Sequence, residues 1–121
     1  MELALKEDQM SSAQAEFDQR EPSIDTRTGA TFALFYTPGP RWLTGRPIEE
    51  QDLDGHRDYM AGLYAQGRVL FAGPFLDNAG GGMAIVRASN RNGAMALLVA
   101  DPAIEHGVYT GKVRSWQAVF G

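Results

Sequence analysis

The chain has 121 residues, a formal charge of −4 and 44% hydrophobic residues, which is the size and composition of one globular domain. It contains no cysteine, so disulfide bonds and thiolate metal sites are excluded. The acids concentrate in residues 1–28, which hold seven acids and three bases, while the remainder has eight of each. Because neither part carries a basic stripe, nucleic acid is not an expected partner.

We interpret residues 1–28 as a polar, acidic N-terminal extension and residues 29–121 as the domain itself. No apolar run approaches the roughly 20 residues of a membrane span. The first ten residues also lack the basic and then apolar pattern of a secretory signal. We therefore expect a cytoplasmic protein with no membrane partner. The extension is either a disordered segment or a short helix that packs Leu3, Met10 and Phe17 on a partner subunit.

The first half of the domain predicts a strand, a helix and a hairpin. Residues 30–37 are aromatic and aliphatic and end at Pro-Gly-Pro, which indicates a strand. A helix is predicted after Pro47, over residues 48–66, because acids occupy its first turn and Gly67 follows its end. Residues 68–75 and 83–89 predict two strands joined by "LDNAGGG". That glycine run is interpreted as a hairpin turn, since it lacks the Lys-Ser/Thr of a phosphate loop.

The second half predicts a helix, a loop and a strand. Residues 90–100 predict a short apolar helix with Ser89 or Asn90 as its N-cap. Residues 101–111 predict a loop, because Pro102 disfavours helix at Asp101. The alternation in residues 112–120 predicts the last strand. The order βαββαβ predicts a ferredoxin-like α+β fold, in which a four-stranded antiparallel sheet carries both helices on one face.

Two helices leave the other face of such a sheet uncovered. A large apolar surface exposed to solvent indicates a protein–protein interface, so we expect a homodimer in which the two sheets pack on each other. This face is predicted to be lined by some of Phe32, Leu34, Tyr36, Phe71, Ile85 and Trp116.

One position in the predicted helix is out of place. Leu53, His56, Met60 and Leu63 share one face of a 3.6-residue period, and His56 is the only polar member. Histidine is the natural general base at neutral pH. The alternative interpretation is a core histidine whose hydrogen bond to Asp101 ties the helix to a loop.

Three segments carry a combined motif set: "FALFYTPGPRW", "GHRDYMAGLYAQGRVLFAGPFLD" with "GGGMAIV", and "ADPAIEHGVYTGKVRSWQAVF". Together they resemble one known family, the YciI-like (YCII-related) proteins, over about residues 30–120 and without the extension. The resemblance implies a ferredoxin-like subunit that forms a dimeric α+β barrel. It also implies an active site with a His–Asp pair, which falls here on His56 and Asp101. The activity associated with the family is of lyase or dechlorinase type on hydroxylated aromatic rings. One departure is Ser115, where many relatives have proline before the last Trp.

Further candidates for substrate binding surround the predicted first strand and helix. The hydroxyl of Tyr36 could orient a ligand, although a core aromatic side chain is the alternative. Two arginines flank a tryptophan in the loop "PGPRWLTGRP" and could hold an anionic aromatic ligand; the alternative is an interface loop with solvated charges. These loop residues are Arg41, Trp42 and Arg46.

The second strand and the last loop supply weaker candidates. Gly73 and Pro74 would allow the backbone to approach a ligand closely, or they form a bulge. A metal site of His56, Asp101 and His106 is disfavoured, because His106 lies on a glycine-bounded loop without a recognisable supporting shell.

We therefore expect a small dimeric enzyme that acts on a small organic molecule by proton abstraction with elimination or isomerisation. His56 would be the general base or acid, and Asp101 would orient it and stabilise its imidazolium form. Nothing in the sequence requires a cofactor or a metal ion. The alternative is a non-catalytic metabolite-binding or interaction module with the same pocket. If one ring nitrogen of His56 makes no hydrogen bond to protein, the enzyme interpretation is favoured. If protein groups bond both nitrogens, the binding-module interpretation is favoured.

Overall fold

The structure, a computed structural model, describes residues 29–121. Strand β1 is Ala30–Pro38, helix α1 is Asp54–Ala65, strand β2 is Val69–Pro74 and strand β3 is Gly82–Ala88. Helix α2 is Arg91–Val99, helix α3 is Pro102–Glu105 and strand β4 is Tyr109–Ser115; a single 3₁₀ turn, Ile48–Glu50, precedes α1. The interpretation of residues 1–28 lies outside the described residues. Within the described part of the chain, no helix is long and apolar enough to cross a membrane.

The strands form one four-stranded sheet in the order β2-β3-β1-β4. Strands β2 and β3 pair as the predicted antiparallel hairpin, and β1 pairs antiparallel with β4. The register between β2 and β3 shifts between Val69 and Phe71, so Leu70 is an extra residue in a β-bulge. The predicted α+β class and the four-stranded antiparallel sheet are confirmed.

The core lies between the helices and one face of the sheet. Phe32, Leu34 and Tyr36 of β1 pack there with side chains of α1 and α2 such as Leu63 and Leu98. Of the six residues from which the uncovered face was predicted to be drawn, these three do not belong to it, because alternation along β1 turns them toward the helices. Phe71 and Ile85, which pair across β2 and β3, are outside this core cluster and lie on the other face.

The helix predicted to run on from Pro47 is interrupted. Gln51 is extended, with φ −81° and ψ 154°, and only 5% exposed. Its side-chain amide accepts a hydrogen bond from Leu43 N at 2.7 Å and donates to Leu43 O at 2.9 Å and Arg46 O at 3.1 Å. These three bonds satisfy loop backbone groups that burial would otherwise leave unpaired. The chain therefore leaves the helical path at Gln51 and re-enters it at Asp54.

Two boundaries near the C-terminus also differ from prediction. The predicted loop after Asp101 contains the one-turn helix α3, because Asp101 is its N-cap and Pro102 occupies the first helical position, where proline fits best. The last strand is Tyr109–Ser115 rather than 112–120. Ser115 pairs with Phe32 of β1, and one more backbone bond follows it, from Trp116 N–H to Thr31 O. Trp116 follows the strand and is 45% exposed.

The glycine run forms the hairpin turn that the sequence predicts. Gly80 and Gly81 have φ of 80° and 85°, values that favour glycine. A Cβ on Gly81 would lie 2.1 Å from the carbonyl oxygen of Tyr36. A Cβ on Gly80 would lie 3.0 Å from the indole of Trp42. The missing side chains let the hairpin lie directly against β1 and the loop that follows it.

Candidate functional site

His56 and Asp101 form a close pair between α1 and the start of α3. His56 Nδ1 lies 2.6 Å from Asp101 Oδ2. A carboxylate can only accept, so Nδ1 carries a proton, and in the neutral imidazole Nε2 then holds the lone pair. The His56 ring makes no other hydrogen bond to residues 29–121, and its side chain is 18% exposed. The pair therefore leaves one basic nitrogen accessible.

Asp101 is fully buried, with 0% exposure, and its two oxygens have different partners. Oδ2 accepts from His56, and Oδ1 accepts from the backbone N–H of Ala103 at 2.9 Å. The second bond is the N-cap of α3. The cap at the "DP" sequence holds the carboxylate of Asp101 in one orientation, independently of its bond to His56.

Gly55 allows α1 and α3 to pack closely. Gly55 lies in the first turn of α1, beside α3, and a Cβ there would be 3.1 Å from the Cβ of Pro102. This close packing of α1 on α3 places His56, the next residue, over Asp101. The "GH" of α1 therefore contacts the "DP" at the start of α3: Gly55 lies against Pro102, and His56 is hydrogen-bonded to Asp101.

Aromatic rings hold the imidazole in place. Tyr36 and Tyr109 each present an edge-to-face contact to His56, with ring centroids 5.2 Å and 5.5 Å away. Trp42 stacks on the far side of Tyr109 at 5.5 Å. Such contacts restrict ring rotation and exclude water from most of the imidazole.

The open side of His56 faces a cavity of about 450 Å³, a size typical of small-molecule sites. Its wall also contains Tyr36, Tyr109, Gly73 and Pro74. Glu49 and Arg57 are its charged lining residues, and the rest of the wall is mostly apolar. The apolar side chains in the wall include Ile48, Leu53, Met60 and Met83.

The tyrosines of the site stay protonated at neutral pH. Burial, and then the negative charge of Asp101, raise the pKa of Tyr36 far above its ordinary value of 10.0. Burial and Asp101 also raise the pKa of Tyr109, against the opposing charge of Arg57. Both phenols are therefore neutral hydrogen-bond donors beside the imidazole.

The candidates from sequence fall into two groups. Tyr36, Gly73 and Pro74 line the cavity with His56, whereas the three residues of the "RWLTGR" loop do not. Arg41 is exposed, Trp42 reaches the site only through Tyr109, and Arg46 Nε pairs with Glu50 Oε1 at 2.7 Å on the surface. Trp42 and Arg46 line a neighbouring cavity beside the hairpin turn instead.

His106 is not placed to act as a metal ligand with His56 and Asp101. It is an exposed residue at the C-terminal end of α3. Within residues 29–121, no three histidine, aspartate or glutamate side chains are grouped so that they could hold a metal ion.

The sequence analysis missed three polar residues of the cavity, Tyr109, Arg57 and Glu49. Tyr109 fell in a predicted loop, although it begins β4. Arg57 is outside the apolar stripe of His56 and its neighbours, yet it also lines the cavity. Periodicity assigned one face to each helical residue, but a long arginine at the border of two faces reaches both.

The fold defines a small α+β protein in which three helices cover one face of an antiparallel sheet and leave a cavity beside α1. The family profile of the YCII-related domain matches residues 30–117. The chain therefore belongs to the YCII-related domain family, as its motifs predict. None of the curated proteins matches it.

Proposed function

We propose that this chain is a small cytoplasmic YciI-like enzyme that uses His56 and Asp101 for general acid–base chemistry on a small organic molecule. The observation that carries the proposal is the 2.6 Å bond between His56 Nδ1 and Asp101 Oδ2, combined with a second ring nitrogen left free beside the cavity. A histidine that served only to fasten α1 would more simply have both nitrogens bonded to protein.

The proposed chemistry follows from the different roles of the two ring nitrogens of His56. His56 Nε2 removes a proton from the substrate, while Asp101 accepts the hydrogen bond from Nδ1–H and stabilises the imidazolium that forms. Asp101 is sealed from the cavity and acts through His56, so it is a positioning residue. The captured proton is then returned to another atom of the substrate or to its leaving group. The reaction is accordingly an isomerisation or an elimination of lyase or dechlorinase type.

The shape of the cavity supports a small substrate with an apolar or aromatic body. Its wall is mostly apolar, and the aromatic rings of Tyr36 and Tyr109 flank the base. Such a site excludes water from the reacting atoms and strengthens each polar contact within it.

The test is proton exchange with solvent. The protein is incubated in D₂O with a panel of small carbon acids and hydroxylated aromatic compounds, and deuterium incorporation is read by mass spectrometry. We expect at least one compound to exchange with the wild type and to lose that exchange with His56→Gln. His106→Gln is the matched control, since this histidine is exposed and does not line the cavity. Equal exchange by His56→Gln and the wild type would remove His56 from the mechanism.

We also propose that the subunit is of the ferredoxin-like type and pairs into a dimeric α+β barrel. The strand order β2-β3-β1-β4 supports the first part. The second part is supported by Phe71, which is 74% exposed on the sheet face away from the helices. A second copy that packs its own sheet there would bury this ring.

A further inference from the structure

Tyr109 has a polar atom that the protein does not use. Its side chain is only 4% exposed and lines the cavity, yet its hydroxyl makes no hydrogen bond to any residue from 29 to 121. The two other tyrosines near the site differ. Tyr59 donates to Leu97 O at 2.7 Å, and Tyr36 donates to Met60 Sδ at 3.9 Å. The Tyr109 oxygen is not among the sealed polar atoms of the described residues, so it is open to a ligand in the cavity.

The position of this hydroxyl is fixed by packing. The ring of Tyr109 stacks on Trp42 with an interplanar angle of 23°. It meets His56 nearly edge-on, at 81°. A ring held on two sides loses little conformational freedom when its oxygen binds a ligand, which favours recognition.

The cavity also has a positively charged lining residue. Arg57 lines the same cavity, and its charge opposes the rise in the pKa of Tyr109. Its Nη1 donates to Asp54 Oδ1 at 2.8 Å, but Arg57 and Asp54 are 52% and 96% exposed. Exposed pairs of this kind contribute little, so the remaining guanidinium donors are available to a ligand.

We propose that Tyr109 and Arg57 bind the oxygens of a small anionic carbonyl compound whose C–H proton His56 removes. This inference rests on the proposed function of His56 and names the substrate class. Arg57 pairs with a carboxylate on the ligand, as guanidinium groups do. Tyr109 O–H donates to the carbonyl oxygen of the ligand. The apolar wall takes the body of the ligand.

The proton transfer balances without a co-reactant. His56 Nε2 takes the proton from the carbon beside the carbonyl, and the electron pair of that C–H bond forms a carbon–carbon double bond. The carbonyl π electrons move to the oxygen, which becomes an enolate oxygen and strengthens its hydrogen bond to Tyr109. Return of the proton from Nε2 to the substrate restores the base.

The experiment uses phenylpyruvate as the probe and phenylacetone, which lacks the carboxylate, as its uncharged comparator. Dissociation constants come from NMR titration of the labelled protein, and exchange of the methylene protons is followed in D₂O. The variants are Tyr109→Phe and Arg57→Gln. Tyr64→Phe is the matched control, because Tyr64 is 66% exposed on α1 and does not line this cavity.

We expect the wild type and Tyr64→Phe to bind phenylpyruvate in preference to phenylacetone. Loss of the hydrogen bond to the neutral carbonyl oxygen should weaken binding of phenylpyruvate by Tyr109→Phe about three- to tenfold. Arg57→Gln should lose the preference over phenylacetone. No preference in the wild type, or unchanged binding by Tyr109→Phe, overturns the inference.

The readouts separate this inference from the role of His56. If His56→Gln stops exchange while Tyr109→Phe binds and exchanges as the wild type does, the base is correct and the oxygen site is wrong. If Tyr109→Phe weakens binding while His56→Gln exchanges normally, the oxygen site is correct and the base is wrong.

Discussion

At the scale of single residues, Asp101 joins the fold to the site. One carboxylate oxygen caps α3, and the other accepts a hydrogen bond from the proton-bearing nitrogen of His56. A buried carboxylate is costly unless its oxygens are hydrogen-bonded, and here each oxygen has a partner. The same side chain therefore fixes a helix start and the tautomer of the imidazole.

Replacing Asp101 by Ala should destabilise the protein through both partners. Loss of the cap and of a charged hydrogen bond predicts a fall in the free energy of unfolding of about 2–4 kcal/mol. Urea denaturation measures it. Asp58→Ala is the control, because Asp58 is exposed on α1 and should change stability by less than about 0.5 kcal/mol. A similar loss in both variants would contradict the dual role.

Tyr36 predicts how stability depends on alkaline pH. Burial raises its pKa in the folded state, whereas the unfolded side chain ionises near pH 10. Above about pH 10 the unfolded state therefore binds fewer protons, so stability is fully present below that pH and falls above it. The contribution of Tyr36 to the slope is up to about 1.4 kcal/mol per pH unit. Urea denaturation between pH 9 and 11 should show a shallower decline for Tyr36→Phe, and identical slopes would refute this.

At the scale of elements, local preferences define α1 only at its C-terminal end. Gly67 has φ 76°, and its N–H donates to Tyr64 O while Arg68 N–H donates to Leu63 O. This Schellman motif is the stop that glycine predicts. The N-terminal end is decided by Gln51, whose bonds to the preceding loop compete successfully with helix continuation.

The hairpin turn gives a matched pair of glycine substitutions. Gly81→Ala forces a side chain into a positive φ and against the Tyr36 carbonyl, with the φ cost alone about 1–3 kcal/mol. Gly62 lies within α1, and a Cβ there meets nothing within 4 Å. Gly62→Ala should therefore stabilise the protein by about 0.5–1 kcal/mol. Thermal unfolding compares the two, and a stable Gly81→Ala protein would show that the hairpin does not need this approach to β1.

At the scale of the whole molecule, the two faces of the sheet have different roles. The helices cover one face and create the core and the cavity. The other face carries the cross-strand pair Phe71 and Ile85, and an exposed aromatic ring there suits the proposed partner copy.

A charge placed on that face should separate the proposed dimer. We expect the wild type to elute with the mass of a dimer and Phe71→Arg with the mass of a monomer, measured by light scattering after gel filtration. Val99→Arg is the control, because Val99 is 57% exposed on α2 in the helical layer. A wild-type monomer, or a dimer that survives Phe71→Arg, would exclude this interface.

The amino-acid sequence by itself determined the element order, the hairpin, the family and the two residues that now form the His–Asp pair. These properties depend on local preferences and on motifs, such as alternation in β1, glycine after α1 and proline after Asp101. The sequence did not predict α3, because the same proline that disfavours helix at Asp101 starts a helix one residue later.

Only the tertiary structure decided which side chains share the cavity. Tyr109 enters it because β4 begins earlier than its alternation suggests, in register with Pro38 at the end of β1. Arg57 enters it because α1 borders a cavity whose other walls come from strands distant in the chain. Both facts depend on pairings between residues distant in the chain, and periodicity within one segment carries no information about such pairings.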